Sequence, residues 1–122
     1  VNEVIRLESP IQFFARKAMK DVVVDDVEIP AGSSLLMMFA SANRDERFWK
    51  DPERFDVTRK ASEHLGFGQG VHQCMGNNLA RMEIRALLAA LAKRVRRIEI
   101  SHSERATNNM LRGFARLDVQ VL

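Results

Sequence analysis

The chain has 122 residues, and 19 Lys and Arg against 16 Asp and Glu give it a formal net charge of +3 at pH 7. This length allows one domain or a part of one, and 46% hydrophobic residues are enough for a folded core. The single cysteine excludes an internal disulfide and a cysteine-based zinc finger. Acidic residues interspersed among the basic ones speak against a nucleic-acid partner, and no apolar run reaches the roughly 20 residues of a membrane span.

The chain is expected to begin inside a helix of a longer, cytoplasmic protein, because it starts without Met, a signal-peptide pattern or a helix cap. Residues 1–8 have apolar side chains at helical spacing, and Pro10 ends this helix because proline cannot continue the hydrogen-bond ladder. Two valine-containing runs at residues 22–24 and 27–29 flank Asp25-Asp26, a pattern that predicts a β-hairpin.

The rest of the chain is predicted to hold a buried strand, an irregular segment, a long helix and a second hairpin. The apolar run 35–40 predicts the strand. Residues 43–63 alternate charged with aromatic side chains and predict a short helix followed by coil that the aromatic side chains anchor. The clearest helix covers residues 77–96, and the segment from residue 98 to residue 121 predicts the second hairpin. The apolar face of the long helix is expected in the core and consists of Ile84, Leu87, Leu88, Leu91 and Val95.

Residues 66–76, the glycine loop, hold four of the six glycines and the cysteine, and they lead directly into the long helix. Unpaired N–H groups and the positive end of the helix dipole favour the thiolate form of Cys74 there. Gly68 and Gly70 permit tight turns and a close approach to the backbone, and Gly76 lets the chain enter the helix. Such a loop suits a thiolate ligand of a soft metal, with room for a wide planar group such as a porphyrin.

Other interpretations of Cys74 stay open at this point. Most isolated cysteines are buried structural residues, and a zinc site with His64 and His72 is conceivable although its spacing matches no common module. A cysteine hydrolase with Cys74 as nucleophile and His64 or His72 as base also needs a thiolate, but it leaves the paired glycines unexplained. A non-catalytic remnant is the third alternative. Outside such roles, His64 and His102 are expected at the surface.

The segment Phe67-Gly68-Gln69-Gly70-Val71-His72-Gln73-Cys74-Met75-Gly76 resembles the haem-ligand loop of the cytochrome P450 monooxygenases. The family pattern is Phe-Gly-x-Gly-x-His/Arg-x-Cys-x-Gly, and a chance match at every fixed position is on the order of one in a million. Glu3-Val4-Ile5-Arg6 resembles the family's Glu-x-x-Arg motif, and Pro52-Glu53-Arg54-Phe55 resembles its Pro-Glu-Arg-Phe motif. The chain is most similar to soluble bacterial members, among them those that oxidise para-substituted benzoic acids.

The resemblance implies that residues 1–122 are the C-terminal haem-binding part of the P450 fold, which is mainly α with small β-sheets. It implies haem b as cofactor, with Cys74 as the axial iron ligand and the catalytic cysteine, and with Phe67 packed beside its sulfur. His72 and Arg16 would bind the haem propionates, and N–H groups of the loop would donate hydrogen bonds to the sulfur. The glycines that would lie against the cofactor are Gly68, Gly70 and Gly76.

The resemblance also implies a charged triad of Glu3, Arg6 and Arg54 that holds the coil before the glycine loop, with Arg59 as an alternative to Arg54. Arg81 would lie on the face that receives electrons from a ferredoxin-type donor. The implied reaction inserts one oxygen atom of O2 into a small organic substrate. This piece alone is expected to be inactive, because the family's oxygen-activating helix lies upstream. The implied substrate-pocket residues are Ile11, Gln12, Phe13, Phe14, Met110 and Leu111.

Overall fold

The computed structural model describes residues 1–122 and combines helices with three small antiparallel sheets of two strands each, which confirms the predicted fold class. None of its helices has the length and apolar character that a bilayer span requires. In chain order the elements are α1 (Asn2–Glu8), β1 (Phe14–Lys17), β2 (Val22–Val24), β3 (Val27–Ile29), β4 (Ser34–Met37), α2 (Phe39–Ala42), a 3₁₀ turn (Gly70–His72), α3 (Asn77–Arg94), β5 (Ile98–Arg105) and β6 (Phe114–Val121).

The first predicted hairpin is confirmed, since β2 pairs with β3 in antiparallel register. Asp25 and Asp26 at its tip both have positive φ, 47° and 64°, as a two-residue type I′ turn requires. The flanking strands β1 and β4 pair with each other and place Arg16 opposite Leu35. This pairing fixes the position of Arg16 relative to the segment that follows α1.

The second predicted hairpin is also confirmed and consists of β5 and β6. The loop between these strands returns to the segment after α1. Ile11 forms a β-bridge with Leu111, and the N–H of Gln12 donates to the carbonyl of Met110 at 2.8 Å. The two stretches that the resemblance assigns to a substrate pocket are therefore adjacent.

The apolar run 35–40 is not the single buried strand that its composition predicts. Strand β4 ends at Met37, and α2 begins at Phe39. Leu36 and Met37 point to opposite faces of the sheet and are 59% and 44% exposed, because β4 pairs only with β1 and neither face is fully covered.

The short helix predicted within residues 43–63 is also wrong, because the helical turn α2 lies just before this segment and the segment itself consists of turns and coil. Of its aromatic side chains only Trp49 is buried, whereas Phe48 and Phe55 are exposed. Trp49 Nε1 donates to the carbonyl of Ala42 at 3.2 Å, so a single indole anchors this segment to α2.

The long helix α3 is confirmed, but its apolar face is not in the core of this chain. Leu87 and Leu88 are 60% and 49% exposed, and Ile84 is exposed as well. The reason is that no other helix or strand of the chain packs along this face. The expectation of a core position rested on periodicity, which identifies an apolar stripe but not its partner.

The core is small and lies where α1, α2 and the coil before the glycine loop meet. Only 11 of the 122 residues are buried. Every buried side-chain nitrogen and oxygen has a hydrogen-bond partner, as interior polar groups require. The interior therefore depends on polar pairing as well as on apolar contact. Its buried side chains are Ile5, Ala18, Phe39, Trp49 and Ala61 among apolar residues, and Glu3, Arg6, Ser9, Asn43 and His64 among polar ones.

Candidate functional site

The glycine loop folds back on itself so that Cys74 lies beside Phe67. The N–H of Cys74 donates to the carbonyl of Phe67 at 2.8 Å. Gly68 and Gly70 have φ values of 68° and 66°, in the left-handed region that side chains disfavour. A Cβ on Gly68 would also stand 3.3 Å from the carbonyl oxygen of His72. Conformation therefore favours glycine at Gly68, and any side chain there would be tightly packed against the backbone of His72.

Cys74 is exposed and precedes α3, which begins at Asn77. Asn77 Nδ2 donates to the carbonyl of Cys74 at 2.6 Å, and this bond ties the cysteine to the start of the helix. The predicted hydrogen bonds from N–H groups of the loop to the sulfur are absent from this structure. The N–H of Cys74 bonds to the carbonyl of Phe67, and that of Asn77 bonds to the carbonyl of Cys74. The sulfur is held by the backbone path of the loop.

An apolar cleft of about 560 Å³ opens in front of Cys74. Five of the residues predicted from the resemblance to hold a cofactor line this one cleft, namely Arg16 from β1 and Phe67, Gly68, His72 and Cys74 from the glycine loop. The other two, Gly70 and Gly76, do not line it. The full set of lining residues is Ile5, Pro10, Ile11, Phe14, Arg16, Phe39, Gly66, Phe67, Gly68, His72, Cys74, Ala80 and Ile84.

The predicted substrate-pocket residues divide into two groups. Ile11 and Phe14 line the apolar cleft, and Phe14 packs edge-on against Phe39 with ring centroids 6.0 Å apart. The remaining four, Gln12, Phe13, Met110 and Leu111, do not line it.

The donor set of the apolar cleft fits a haem. One thiol faces mainly apolar walls, and this combination suits a thiolate-ligated iron in a hydrophobic ring system. Arg16 donates to the carbonyl of Ala15 at 2.9 Å and is absent from the salt bridges of the chain. Its guanidinium therefore keeps donors for a carboxylate of a bound group. His72 lies on the exposed part of the glycine loop, within the lining of the same cleft.

The charged triad exists, but its third side chain is Arg59 and not Arg54. Arg6 forms a bidentate pair with Glu3, with Nε and Nη2 donating at 2.7 and 2.9 Å. Arg59 Nε donates to Glu3 Oε1 at 3.1 Å. Arg54 contributes only its backbone carbonyl, which accepts from Arg6 Nη2 at 3.4 Å, and its side chain is exposed. The path of the coil turns the side chain of Arg59, not that of Arg54, toward Glu3.

The buried carboxylate of Glu3 is strongly stabilised in its charged form. Burial alone raises its pKa, but hydrogen bonds from Arg6, from the N–H of Asp56 and from Arg59 outweigh burial and lower the pKa from 4.5 to about 2. This cluster therefore stays ionised at neutral pH and ties α1 to the coil of residues 54–59.

The geometry of the loop, cleft and triad agrees with the comparison to known proteins. The family model described as Cytochrome P450 matches residues 1–118. The chain belongs to the cytochrome P450 family. This P450 is 48% identical over 121 residues to cytochrome P450 CYP199A2 of Rhodopseudomonas palustris, a match that covers 98% of the chain and 29% of that protein. Linalool 8-monooxygenase of Pseudomonas putida is 41% identical over 118 residues, which are 96% of the chain and 29% of that protein.

Solved P450 structures share the fold of this chain. Cytochrome P450 CYP109Q5 from Chondromyces apiculatus matches with a TM-score of 0.91 and 38% identity over 98% of this chain and 32% of that chain. P450BioI, solved with an acyl carrier protein, matches with a TM-score of 0.94 and 32% identity over 99% of this chain and 32% of that chain. The structure is therefore a part of the P450 fold, and the chain spans 29% of the length of the two curated relatives named above.

The alternative sites at Cys74 are not supported in this P450. No group of three His, Cys, Asp or Glu side chains is placed to hold a metal ion, so Cys74, His64 and His72 do not form a zinc site. A hydrolase needs a base within hydrogen-bond reach of the nucleophile. His64 is instead buried, with Nδ1 accepting from the N–H of Gly66 at 3.0 Å, and no hydrogen bond joins His72 to the sulfur.

Arg81 is predicted to lie on the face that receives electrons from a donor protein, but much of its side chain contacts the interior of the protein. It is half-buried, and its Nε donates to Asn2 Oδ1 at 2.9 Å while Nη1 donates to Asn77 Oδ1 at 2.6 Å. Its guanidinium carbon lies 4.7 Å from the centroid of the Phe67 ring. A role in donor binding remains a prediction, whereas the contacts of Arg81 inside the protein are a structural fact.

Two buried residues that sequence reasoning missed connect the triad to the glycine loop. Arg6 Nη1 donates to the carbonyl of Asn43 at 2.7 Å, and Asn43 Nδ2 donates to Ser9 Oγ at 2.9 Å. Asn43 Oδ1 accepts from the N–H of Leu65, next to the glycine loop, at 2.7 Å. The only available signal was the position of Asn43 three residues after the apolar run 35–40, a place where Asn is common for many reasons.

The surface position predicted for His64 is wrong, because its side chain is only 5% exposed. Burial, and to a smaller extent the positive charge of Arg81, lower the pKa of His64 from 6.5 to about 4. The imidazole is therefore neutral at neutral pH. His102 lies exposed on β5, as expected.

Proposed function

We propose that this P450 binds haem b through Cys74 and is the haem-binding, C-terminal part of a haem-thiolate monooxygenase. The observation that carries the proposal is the position of Cys74 at the apolar cleft, on a loop whose glycines admit a flat group. The proposed reaction inserts one oxygen atom of O2 into a small organic substrate, with electrons from a ferredoxin-type donor.

Residues of the apolar cleft and of the glycine loop have proposed parts in holding the cofactor. The Cys74 thiolate would be the axial ligand, and the Phe67 ring beside it would limit access of water to the sulfur. Arg16 on β1 keeps free hydrogen-bond donors and would pair with one haem propionate, and His72 on the glycine loop would pair with the other. Gly68, Gly70 and Gly76 would allow the ring to lie close to the backbone.

The chain's contribution to the chemistry lies in its ligand. When bound, haem supplies the activation of dioxygen, and a thiolate ligand donates electron density that favours O–O cleavage. The glycine loop holds the sulfur through the hydrogen bond between the N–H of Cys74 and Phe67. The triad of Glu3, Arg6 and Arg59 holds the preceding coil, which limits the motion of the loop.

The proposed substrate is a small organic molecule. The names of relatives point to different substrates, linalool for the Pseudomonas putida protein and a dihydromenaquinone for a Mycobacterium tuberculosis protein. An aromatic acid is proposed from the sequence resemblance alone. Ile11 and Phe14 would contact it from the apolar cleft, with the outlying residues Gln12, Phe13, Met110 and Leu111 contributing from the adjoining loop.

The proposal includes two further points. The 122-residue chain by itself is expected to lack turnover, because the cleft is open and the chain spans 29% of the length of its curated relatives. The proposed location is cytoplasmic, which cell fractionation would check.

A spectrum of the haem-loaded protein tests the thiolate ligand. The reduced carbon monoxide complex should show a strongly red-shifted Soret band, which Cys74→Ser should abolish. Met75→Ser is a matched control, because Met75 is the adjacent side chain and is 99% exposed; this variant should keep the band. Retention of the band in Cys74→Ser would refute the proposed ligand.

A further inference from the structure

The ring of Phe67 has two polar neighbours that the proposed function does not use. The guanidinium carbon of Arg81 lies 4.7 Å from its centroid, a distance at which a cation is attracted to an aromatic ring. The imidazole of His64 is tilted against the same ring, with centroids 5.7 Å apart. Phe67 is therefore held by a cation and a buried imidazole.

Arg81 is fixed in place by groups that do not neutralise its charge. Its Nε and Nη1 donate to the side-chain oxygens of Asn2 on α1 and Asn77 on α3, at 2.9 and 2.6 Å. No salt bridge of the chain includes Arg81. Amide oxygens orient the guanidinium but carry no compensating negative charge, so a full positive charge remains beside the glycine loop.

The hydrogen bonds of His64 define a neutral ring with one tautomer. Nδ1 accepts from the N–H of Gly66 at 3.0 Å, so the single proton of the neutral ring is on Nε2. Nε2 lies 3.4 Å from Arg81 Nη2, and Arg81 is the charged group that the ring faces. A second proton would remove the bond to Gly66 and would place two cations in contact.

Gly66 connects this arrangement to the cleft. A Cβ on Gly66 would be 2.5 Å from Ile5 Cγ2 and 3.2 Å from His64 Nδ1. The start of the glycine loop is thus packed between α1 and His64 with no room for a side chain at Gly66, the residue before Phe67.

We propose that Arg81 and His64 are positioning residues that hold the Phe67 ring in the glycine loop. Arg81 also brings an uncompensated positive charge to Asn77, whose side chain donates to the carbonyl of Cys74, the proposed haem ligand. The inference rests on the proposed function, because it needs a haem at Cys74. A fixed cation stabilises the reduced form of an iron centre, which carries one more electron than the oxidised form. Arg81 therefore raises the reduction potential of the haem, independently of any electron-donor protein.

The test uses the haem-loaded protein without an electron-donor protein. Arg81→Gln should shift the haem reduction potential to a more negative value and should broaden or shift the Soret band of the reduced carbon monoxide complex. Arg85→Gln is the matched control, because it removes the same charge from an exposed position on the same helix, and it should leave both measurements unchanged. Arg81→Lys keeps the charge without the planar fork, so it should preserve most of the potential but not the band shape.

His64 is tested by the same two measurements. His64→Phe removes the acceptor for the N–H of Gly66 and should alter the band. His64→Asn keeps an acceptor there but lacks the imidazole ring that packs against Phe67, so it should alter the band less. If Arg81→Gln fails to fold, Arg81→Lys tests the inference instead, because the Soret band of its reduced carbon monoxide complex should differ in shape from that of the wild type.

Three outcomes separate the hypotheses. Wild-type potential and band in Arg81→Gln, with slower reduction by a donor protein, would make Arg81 a docking residue only and would overturn this inference while leaving the proposed function intact. Equal effects of Arg81→Gln and Arg85→Gln would show that only the net charge of the protein matters, and this outcome would also overturn the inference. A wild-type protein without the red-shifted band would overturn both the proposed function and the inference.

Discussion

Replacing Arg6 with Ala tests whether the Glu3–Arg6 pair holds the coil before the glycine loop. Arg6 is fully buried and donates to Glu3 at 2.7 and 2.9 Å and to the carbonyl of Asn43 at 2.7 Å. The substitution leaves the Glu3 carboxylate buried with Arg59 as its only side-chain partner. Removal of one member of a buried ion pair costs roughly 3–5 kcal/mol.

The acidity of Glu3 reflects all of its partners together, because burial raises its pKa but hydrogen bonds from Arg6, the N–H of Asp56 and Arg59 lower it by more. The fall of the pKa from 4.5 to about 2 corresponds to about 3 kcal/mol for the whole set, of which the Arg6 pair is one part. Both figures are a large fraction of the roughly 5–15 kcal/mol that keeps a domain folded. Because only 11 residues are buried in the whole chain, few other contacts can compensate. We therefore expect Arg6→Ala to lose most of its haem.

The assay measures haem per polypeptide and the urea midpoint of unfolding, both in the haem-loaded protein. Arg44→Ala serves as control, because it breaks the surface pair with Glu53, whose side chain is 73% exposed; such pairs contribute about 0–1 kcal/mol. Full haem content in Arg6→Ala, with a midpoint equal to that of Arg44→Ala, would refute the assigned role of the triad.

Two further predictions concern the same core. Arg59→Ala should lower the free energy of unfolding by roughly 1.5–3 kcal/mol, since it removes a charged hydrogen bond to Glu3. Arg54→Ala should change the same free energy by less than about 0.5 kcal/mol, because its backbone carbonyl remains. A larger loss in Arg54→Ala than in Arg59→Ala, measured by urea unfolding, would contradict the observed triad. The free energy of unfolding should also decrease as the pH is lowered. Folding lowers the pKa of His64 from 6.5 to about 4 and that of Glu3 from 4.5 to about 2, so the unfolded chain binds more protons than the folded chain across both ranges. His64→Asn should lose less stability than wild type between pH 6.5 and pH 4, and equal losses would show that His64 does not titrate in this way.

The features that sequence determined are those with local signals. The Asp25-Asp26 hairpin follows from two residues that tolerate positive φ between valine-rich strands. Helix α3 follows from its apolar period, and the glycine loop from glycine spacing around the single cysteine. These signals depend on backbone conformations that a few neighbouring residues impose, so they survive without knowledge of the rest of the chain.

Tertiary structure alone decided which side chains became partners. Arg54 and Arg59 are both arginines in one charged segment, and only the path of the coil turns Arg59 toward Glu3. His64 looked like a surface residue but is enclosed by Gly66 and Arg81, whereas Leu87 looked like a core residue but has no element of this chain against it. Burial and ion pairing are properties of segments that meet in space, and the order of residues along one segment does not specify which other segment it meets.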